Sequence, residues 1–162
     1  MVCILSTYVK QKKQKEMKKE TTLAMILPSC MNYKNMVEKE MDAAKLKIES
    51  SATIRLTQEQ AEELCAKWHE DKSFESRVKM LSSAEVKVYQ LSGNGAVKRW
   101  NNLIGPEDPA DSKGKWAQLR CKFADAIYYA LSLDNGFYGS KTESDAEREL
   151  GLMKKWGYLK TP

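Results

Sequence analysis

Apolar residues fall into two rhythms along this chain. Thr22-Leu23-Ala24-Met25-Ile26-Leu27 is a short apolar run closed by Pro28, the pattern of a strand buried on both faces. Asn32 is placed to cap a helix reaching about Lys45, with Val37, Met41 and Ala44 on one face. Between Leu46 and Leu56 the even positions Ile48, Ser50, Ala52 and Ile54 predict a half-buried strand carrying a bend. Thr57-Gln58-Glu59-Gln60 reads as a capping box, and Ala61, Leu64, Cys65 and Trp68 follow at the spacing of a core-facing helical stripe. A second helix is expected over Phe74–Leu81 and an alternating strand over Val86–Leu91. Asn94 is the expected cap of a helix burying Val97, Trp100, Leu103 and Ile104 and stopped by Gly105-Pro106. A helical segment near Trp116–Ala126, a short strand over Gly136–Gly139 and a helix capped at Thr142 complete the pattern. That last helix buries Ala146, Leu150 and Met153 and ends near Gly157.

The order of elements predicts an α+β fold, a ferredoxin-like βαββαβ sheet covered by helices. The expected organisation is a basic N-terminal arm over residues 1–20, one domain over 21–157 and a C-terminal tail over 158–162. A chain of 162 residues, 42% hydrophobic and 30% charged, fits one globular domain with a real core. No apolar stretch approaches the ~20 residues of a membrane helix, and Met1-Val2-Cys3-Ile4-Leu5 precedes its lysines, the reverse of a signal peptide. No membrane association is expected, and the compartment indicated is cytoplasmic, with a nuclear or ciliary setting equally compatible.

The net charge of +5 is unevenly placed. Lys10, Lys12, Lys13, Lys15, Lys18 and Lys19 crowd the arm, and the remainder is close to neutral. Such a segment is either solvated or in contact with a polyanion, such as nucleic acid or the acidic tails of tubulin. No aromatic residues interleave the lysines, so single-stranded nucleic acid gains no support. Cys3, Cys30, Cys65 and Cys121 are widely spaced, with His69 the one histidine, which argues against a metal site and a disulfide framework. His69 itself reads as a residue at the end of a helix, where its charge suits the dipole.

Two runs carry candidate chemistry: Asn135-Gly136-Phe137-Tyr138-Gly139-Ser140 and Gly105-Pro106-Glu107-Asp108-Pro109-Ala110-Asp111-Ser112-Lys113. The first resembles the Asn-x-x-His-Gly-Ser active-site strand of nucleoside diphosphate kinases, and the second resembles that family's Gly-x-x-Asn/Asp-Pro-Ala-x-Ser loop. Thr22–Ile26, Leu56–Glu63, Ala96–Trp100 and Ser144–Glu149 extend the resemblance in order from Thr22 to about Met153. In that family a histidine takes the γ-phosphate of a nucleoside triphosphate and passes it to a diphosphate. The resemblance implies a base-stacking role for Phe74, a phosphate contact for Arg120, a ribose and phosphate contact for Asn135, and supports for the nucleophile in Ser140 and Glu149. It also places Leu27 where the family has a lysine, Asn101 at an arginine, Glu107 at a threonine and Tyr138 at the histidine.

A tyrosine hydroxyl, with a pKa of ~10, stays protonated near neutral pH and is a poor nucleophile without a base. Losing two cations and gaining a carboxylate further weakens stabilisation of phosphoryl charge. The expectation is therefore a non-enzymatic, nucleoside diphosphate kinase-like domain serving as a structural or assembly module, with no catalytic residue and no cofactor. ATP, ADP or GTP would bind weakly at most, through Phe74, Arg120 and Asn135. The alternatives are a nucleotide-binding regulatory domain and a weak kinase. Degenerate members of the family implied by the resemblance suggest an axonemal or cytoskeletal complex, with tubulin as a candidate partner of the lysine arm and homo-oligomers also in view. Simpler readings stand beside these: Phe74 as core, Asn135-Gly136 as a turn, Gly139 as backbone geometry, Arg148 and Glu149 as a solvated pair, and Trp100 and Trp116 as packing.

Overall fold

The computed structural model describes residues 19–112, 115, 117–130 and 133–161. The first strand, β1 (Lys19–Ile26), lies inside the sheet, which explains its continuous apolar run: Leu23 to Ile26 are fully buried. Pro28 opens a 3-10 turn over Pro28–Tyr33, and helix α1 starts only at Lys34 (Lys34–Ala43). Asn32 therefore lies within the turn and caps nothing. Pro28 is favourable at the start of that turn because its missing N–H costs no hydrogen bond there. Val37 and Met41 are buried as expected, and Lys45, in the left-handed region at φ 60°, turns the chain into β2 (Lys47–Ile54).

Strand β2 pairs with β3 through a register shift between Ile48 and Ser50, the expected bend. Thr57 and Gln60 form both bonds of the capping box that opens α2 (Gln58–Leu64). This helix is shorter than its apolar stripe suggested, and Trp68 sits in a 3-10 turn over Ala66–Trp68. Helix α3 (Phe74–Ser83) leads to β3 (Val86–Asn94). Asn94 is the last residue of that strand, and the N-cap position of α4 (Ala96–Ile104) is Gly95 at φ 62°. The missing cap is supplied from β1, where the Glu20 carboxylate accepts from the Val97 N–H at 2.9 Å. Gly105, at φ 84°, ends α4 as expected.

In place of one helix near Trp116–Ala126 there are two short ones, α5 (Leu119–Lys122) and α6 (Ala124–Tyr128). The break is at Phe123, whose ring stacks on Tyr33 at 4.6 Å; Trp116 is outside the described residues. Strand β4 (Phe137–Gly139) precedes α7 (Glu143–Lys155), capped by the Thr142 hydroxyl.

The sheet order is β2-β3-β1-β4, with every neighbouring pair antiparallel. This is the ferredoxin-like arrangement, with the α2–α3 hairpin inserted between β2 and β3. Alternation along β1 sends Leu23 and Met25 towards α2, α3 and α7, and Ala24 and Ile26 towards α1, α4 and α5. Both ends of the domain differ from the sequence reading. Lys19 and Glu20, assigned to the arm, begin β1, and Lys19 pairs with Glu49 at 2.8 Å. Within the supposed tail, Leu159 is buried in the core, and the Lys160 N–H donates to Ser50 Oγ at 3.2 Å. The other arm lysines, Lys10, Lys12, Lys13, Lys15 and Lys18, lie outside the described residues.

Candidate functional site

Strand β4 has room for only three residues, and each is placed by the one opposite. Tyr138 pairs with Met25 across the ladder, so its side chain shares the face of Leu23 and Met25. Phe137 points to the other face. Gly139 is required by contact, because a Cβ there would lie 2.5 Å from Trp100 Cδ1. Trp100 packs as core and donates from Nε1 to the Tyr138 carbonyl at 2.9 Å.

The Tyr138 hydroxyl is engaged on both sides. It donates to Glu149 at 2.5 and 2.8 Å and accepts from Lys67 Nζ at 3.0 Å. Ser140 Oγ donates to the same Glu149 carboxylate at 3.3 Å. Lys67 also lies 3.6 Å from Glu149 and 3.7 Å from Asp145. Glu149 faces inward from α7 and is 1% exposed, so it is not the solvated partner of Arg148. Burial raises the Tyr138 pKa well above its ordinary value, and the negative charge of Glu149 raises it further. Burial also raises that of Glu149, against the opposing pull of the Tyr138 hydrogen bond and Lys67. The proton stays on the phenol, because ionising it would put a second negative charge beside the carboxylate.

Arg120 is 3% exposed and spends its guanidinium on main-chain carbonyls. It donates to Gly105 O at 2.6 Å, Phe137 O at 2.7 Å and Asn135 O at 3.2 Å. Burial lowers its pKa to about 10, still cationic at neutral pH. Asn135 donates from Nδ2 to the Glu107 carbonyl at 3.3 Å, and the Glu107 carboxylate pairs at the surface with Lys141 at 3.6 Å. Asn101 bridges Val97 O and Ser140 O at 2.9 and 2.8 Å. Leu27 is buried and presents hydrocarbon to the site.

Tyr138, Leu27, Arg120, Asn135 and Glu107 all border one cavity of about 40 Å³. Small-molecule sites usually offer roughly 300–1,000 Å³. Phe74 is not brought to this cavity. It lies in a separate groove between α2 and α3, with its ring 5.4 Å from His69. His69, placed by sequence at a helix end, follows the 3-10 turn and packs against that ring.

Three participants escaped the sequence reading. Lys67 reaches Tyr138 from 71 residues away, and nothing local distinguishes it from the other lysines. Trp68 stands edge-on to Tyr138 at 6.2 Å, with Lys67 Nζ and the Arg77 guanidinium 4.3 and 4.4 Å from its own ring. Asp134 accepts from Ser29 N, Ser29 Oγ and Gly136 N, tying the exit of β1 to the entry of β4. Its position before Asn135-Gly136 was the available signal, since an aspartate there closes such turns.

The family model described as nucleoside diphosphate kinase matches residues 20–155. The chain belongs to the nucleoside diphosphate kinase family. A solved nucleoside diphosphate kinase from Aquifex aeolicus is 25% identical at a TM-score of 0.73, covering 88% of this chain and 99% of that one. A halophilic nucleoside diphosphate kinase from Halobacterium salinarum, solved in complex with CDP, shares the fold. It is 22% identical at a TM-score of 0.73, covering 89% of this chain and 93% of that one. Tyr138, Ser140 and Glu149 are joined by hydrogen bonds to the one carboxylate. Arg120 and Asn135 border the same cavity with the polar contacts described above, and Phe74 stands apart.

Proposed function

We propose that this member of the nucleoside diphosphate kinase family has lost phosphotransfer and acts as a structural or assembly module. The observation that carries the reading is the Tyr138 hydroxyl, held between Glu149 and Lys67 at the position the resemblance gives to the histidine. A phenol that burial and a neighbouring carboxylate keep protonated, and whose oxygen accepts from Lys67, is a weaker nucleophile at neutral pH than a neutral imidazole. The surroundings support the same conclusion. Arg120 already donates to three carbonyls, Asn101 joins two more, and Leu27 offers no cation to a phosphate. The proposal includes no cofactor.

The setting proposed is cytoplasmic and cytoskeletal, in an axonemal complex, with tubulin as the candidate partner of the lysines between Lys10 and Lys19. That part rests on the charge pattern of the sequence and on analogy with degenerate members of the family. Incubation with γ-labelled ATP followed by acid tests the chemistry, because acid strips phosphohistidine and spares phosphotyrosine. No label on the protein under either condition is expected. Acid-stable label lost in Tyr138→Phe would defeat the proposal.

A second reading, a nucleotide-binding regulatory domain or weak kinase, is favoured by Arg77 and Lys141, which line the cavity. Calorimetry with ATP, ADP and GTP separates the two. The structural-module reading expects no saturable heat.

A further inference from the structure

One face of the sheet is only partly covered. Leu23, Met25, Ile54, Val86 and Val88 pack beneath α2, α3 and α7, and the cover ends where Leu159 is buried against them. Alternation carries the same face onward to Thr21 of β1, Gln90 and Ser92 of β3, and Ser50 of β2. Each of these side chains is polar, where the covered part of the face is apolar. Thr21, Gln90 and Ser50 form the floor of a recess of about 490 Å³, bordered by Lys19, Glu49, Lys160 and Thr161.

The rim of this recess is cationic. Glu49 stands at the register shift between Ile48 and Ser50, accepts from Ser92 Oγ at 2.5 Å, and pairs with Lys19 at 2.8 Å and Lys47 at 3.7 Å. Lys160 takes part in none of the ion pairs among the described residues, and its main chain is fixed by the bond from its N–H to Ser50 Oγ. Three ammonium groups, on Lys19, Lys47 and Lys160, therefore meet one carboxylate, an excess of two positive charges. Lys19 is also the last of the six arm lysines, so the run from Lys10 to Lys18 joins the domain at this recess. Simple solvation accounts for the hydroxyls and the carboxamide of the floor. It does not account for a cationic excess at the root of the lysine arm.

We infer that this recess docks an acidic segment of a partner protein. The inference rests on the assembly-module reading and gives it a surface within the described domain. Carboxylates of the segment meet Lys160 and Lys19 in charge-assisted hydrogen bonds. Lys19 is exposed, and its ammonium has three donors, enough to hold Glu49 and a second carboxylate together. Gln90, Thr21 and Ser50 offer donors and acceptors to the main chain of the segment. The lysines that precede Lys19 in sequence extend the attraction and favour encounter with an acidic chain. Among the described residues no aromatic side chain borders the recess, so it offers no platform for nucleic-acid bases, and a peptide is the polyanion it fits.

Fluorescence anisotropy of a labelled hexaglutamate peptide tests the site on the full-length protein. Saturable binding that weakens as salt rises is expected for wild type. Lys160→Glu is expected to weaken it about five- to tenfold, the effect of losing one surface attraction and gaining a repulsion. Lys98→Glu makes the same change in net charge from an exposed position of α4, on the other face of the sheet, and is expected to change binding less than about twofold. Carbodiimide coupling, resolved by peptide mass spectrometry, should join the peptide to Lys19 and Lys160. Equal weakening by both substitutions would reduce the interaction to net charge. Binding lost on deletion of residues 1–18 but unchanged in Lys160→Glu would assign it to the arm alone. Either result, coupling confined to other lysines, or no saturable binding by wild type would overturn the site. Tighter binding of a single-stranded oligonucleotide of equal charge would overturn the choice of partner. Phosphate exchange from ATP, read on the same preparations, keeps the two readings apart: absent exchange with absent peptide binding removes only the docking site.

Discussion

The proton on Tyr138 decides what this site can do, and it is open to titration. Folding raises its pKa above the ~10 of an unfolded tyrosine, so the folded form keeps a proton that the unfolded chain gives up. The resulting stability is fully present below about pH 10 and is lost as pH rises above it. Tyr89, raised by burial and by its bond to Glu38, contributes in the same direction. Urea unfolding between roughly pH 9 and 11 should therefore show stability falling with pH in wild type and falling less steeply in Tyr138→Phe. Identical slopes would mean that Tyr138 ionises as freely as an exposed tyrosine. Arg120 gives a second test at this scale. Removing it strands three main-chain carbonyls, so Arg120→Ala should destabilise by about 3–5 kcal/mol. Lysine lacks the planar fork and should recover only part of that loss. A near-neutral Arg120→Ala in urea unfolding would free this guanidinium for a ligand.

At the scale of elements, the joints between strands and helices carry most of the departures from expectation. Glu20 leaves β1 to cap α4, and replacing it with alanine should cost about 1 kcal/mol. For the same reason, removal of residues 1–20 should lower stability in thermal or urea unfolding relative to removal of residues 1–18. Equal stability of the two truncations would dismiss the cap. Elements whose signals are local were legible in the sequence: the apolar run of β1, the Thr57 capping box, the Thr142 cap and the Gly105 stop. Asn32 and Asn94 misled because the chain before α1 turns in 3-10 form at Pro28, and because the cap of α4 comes from a strand distant in sequence. The site divides along the same line. Tyr138, Ser140 and Glu149 share β4, its exit and the next helix, so their convergence followed from a short stretch of sequence. Lys67 comes from the 3-10 turn after α2, where no local pattern marks it, and Phe74 is directed into the outer groove by the α2–α3 hairpin.

The described residues form the family fold, and Leu27, Arg120 and Tyr138 of the chain itself border the small cavity beside β4. Charge completes the picture: the lysines from Lys10 to Lys19 precede and begin β1, and their attraction for an acidic filament should be screened by salt. Co-sedimentation with microtubules should weaken with salt and on deletion of residues 1–18. Equal binding by both forms would move docking to the surface of the domain. The central claim concerns chemistry and has a direct measurement: transfer of phosphate from ATP to other nucleoside diphosphates by the purified full-length protein. No exchange above the buffer control is predicted, and Tyr138→His alone should not restore it, because Leu27, Asn101 and the occupied Arg120 leave the phosphates unsupported. Robust exchange by wild type, abolished in Tyr138→Phe, would contradict it.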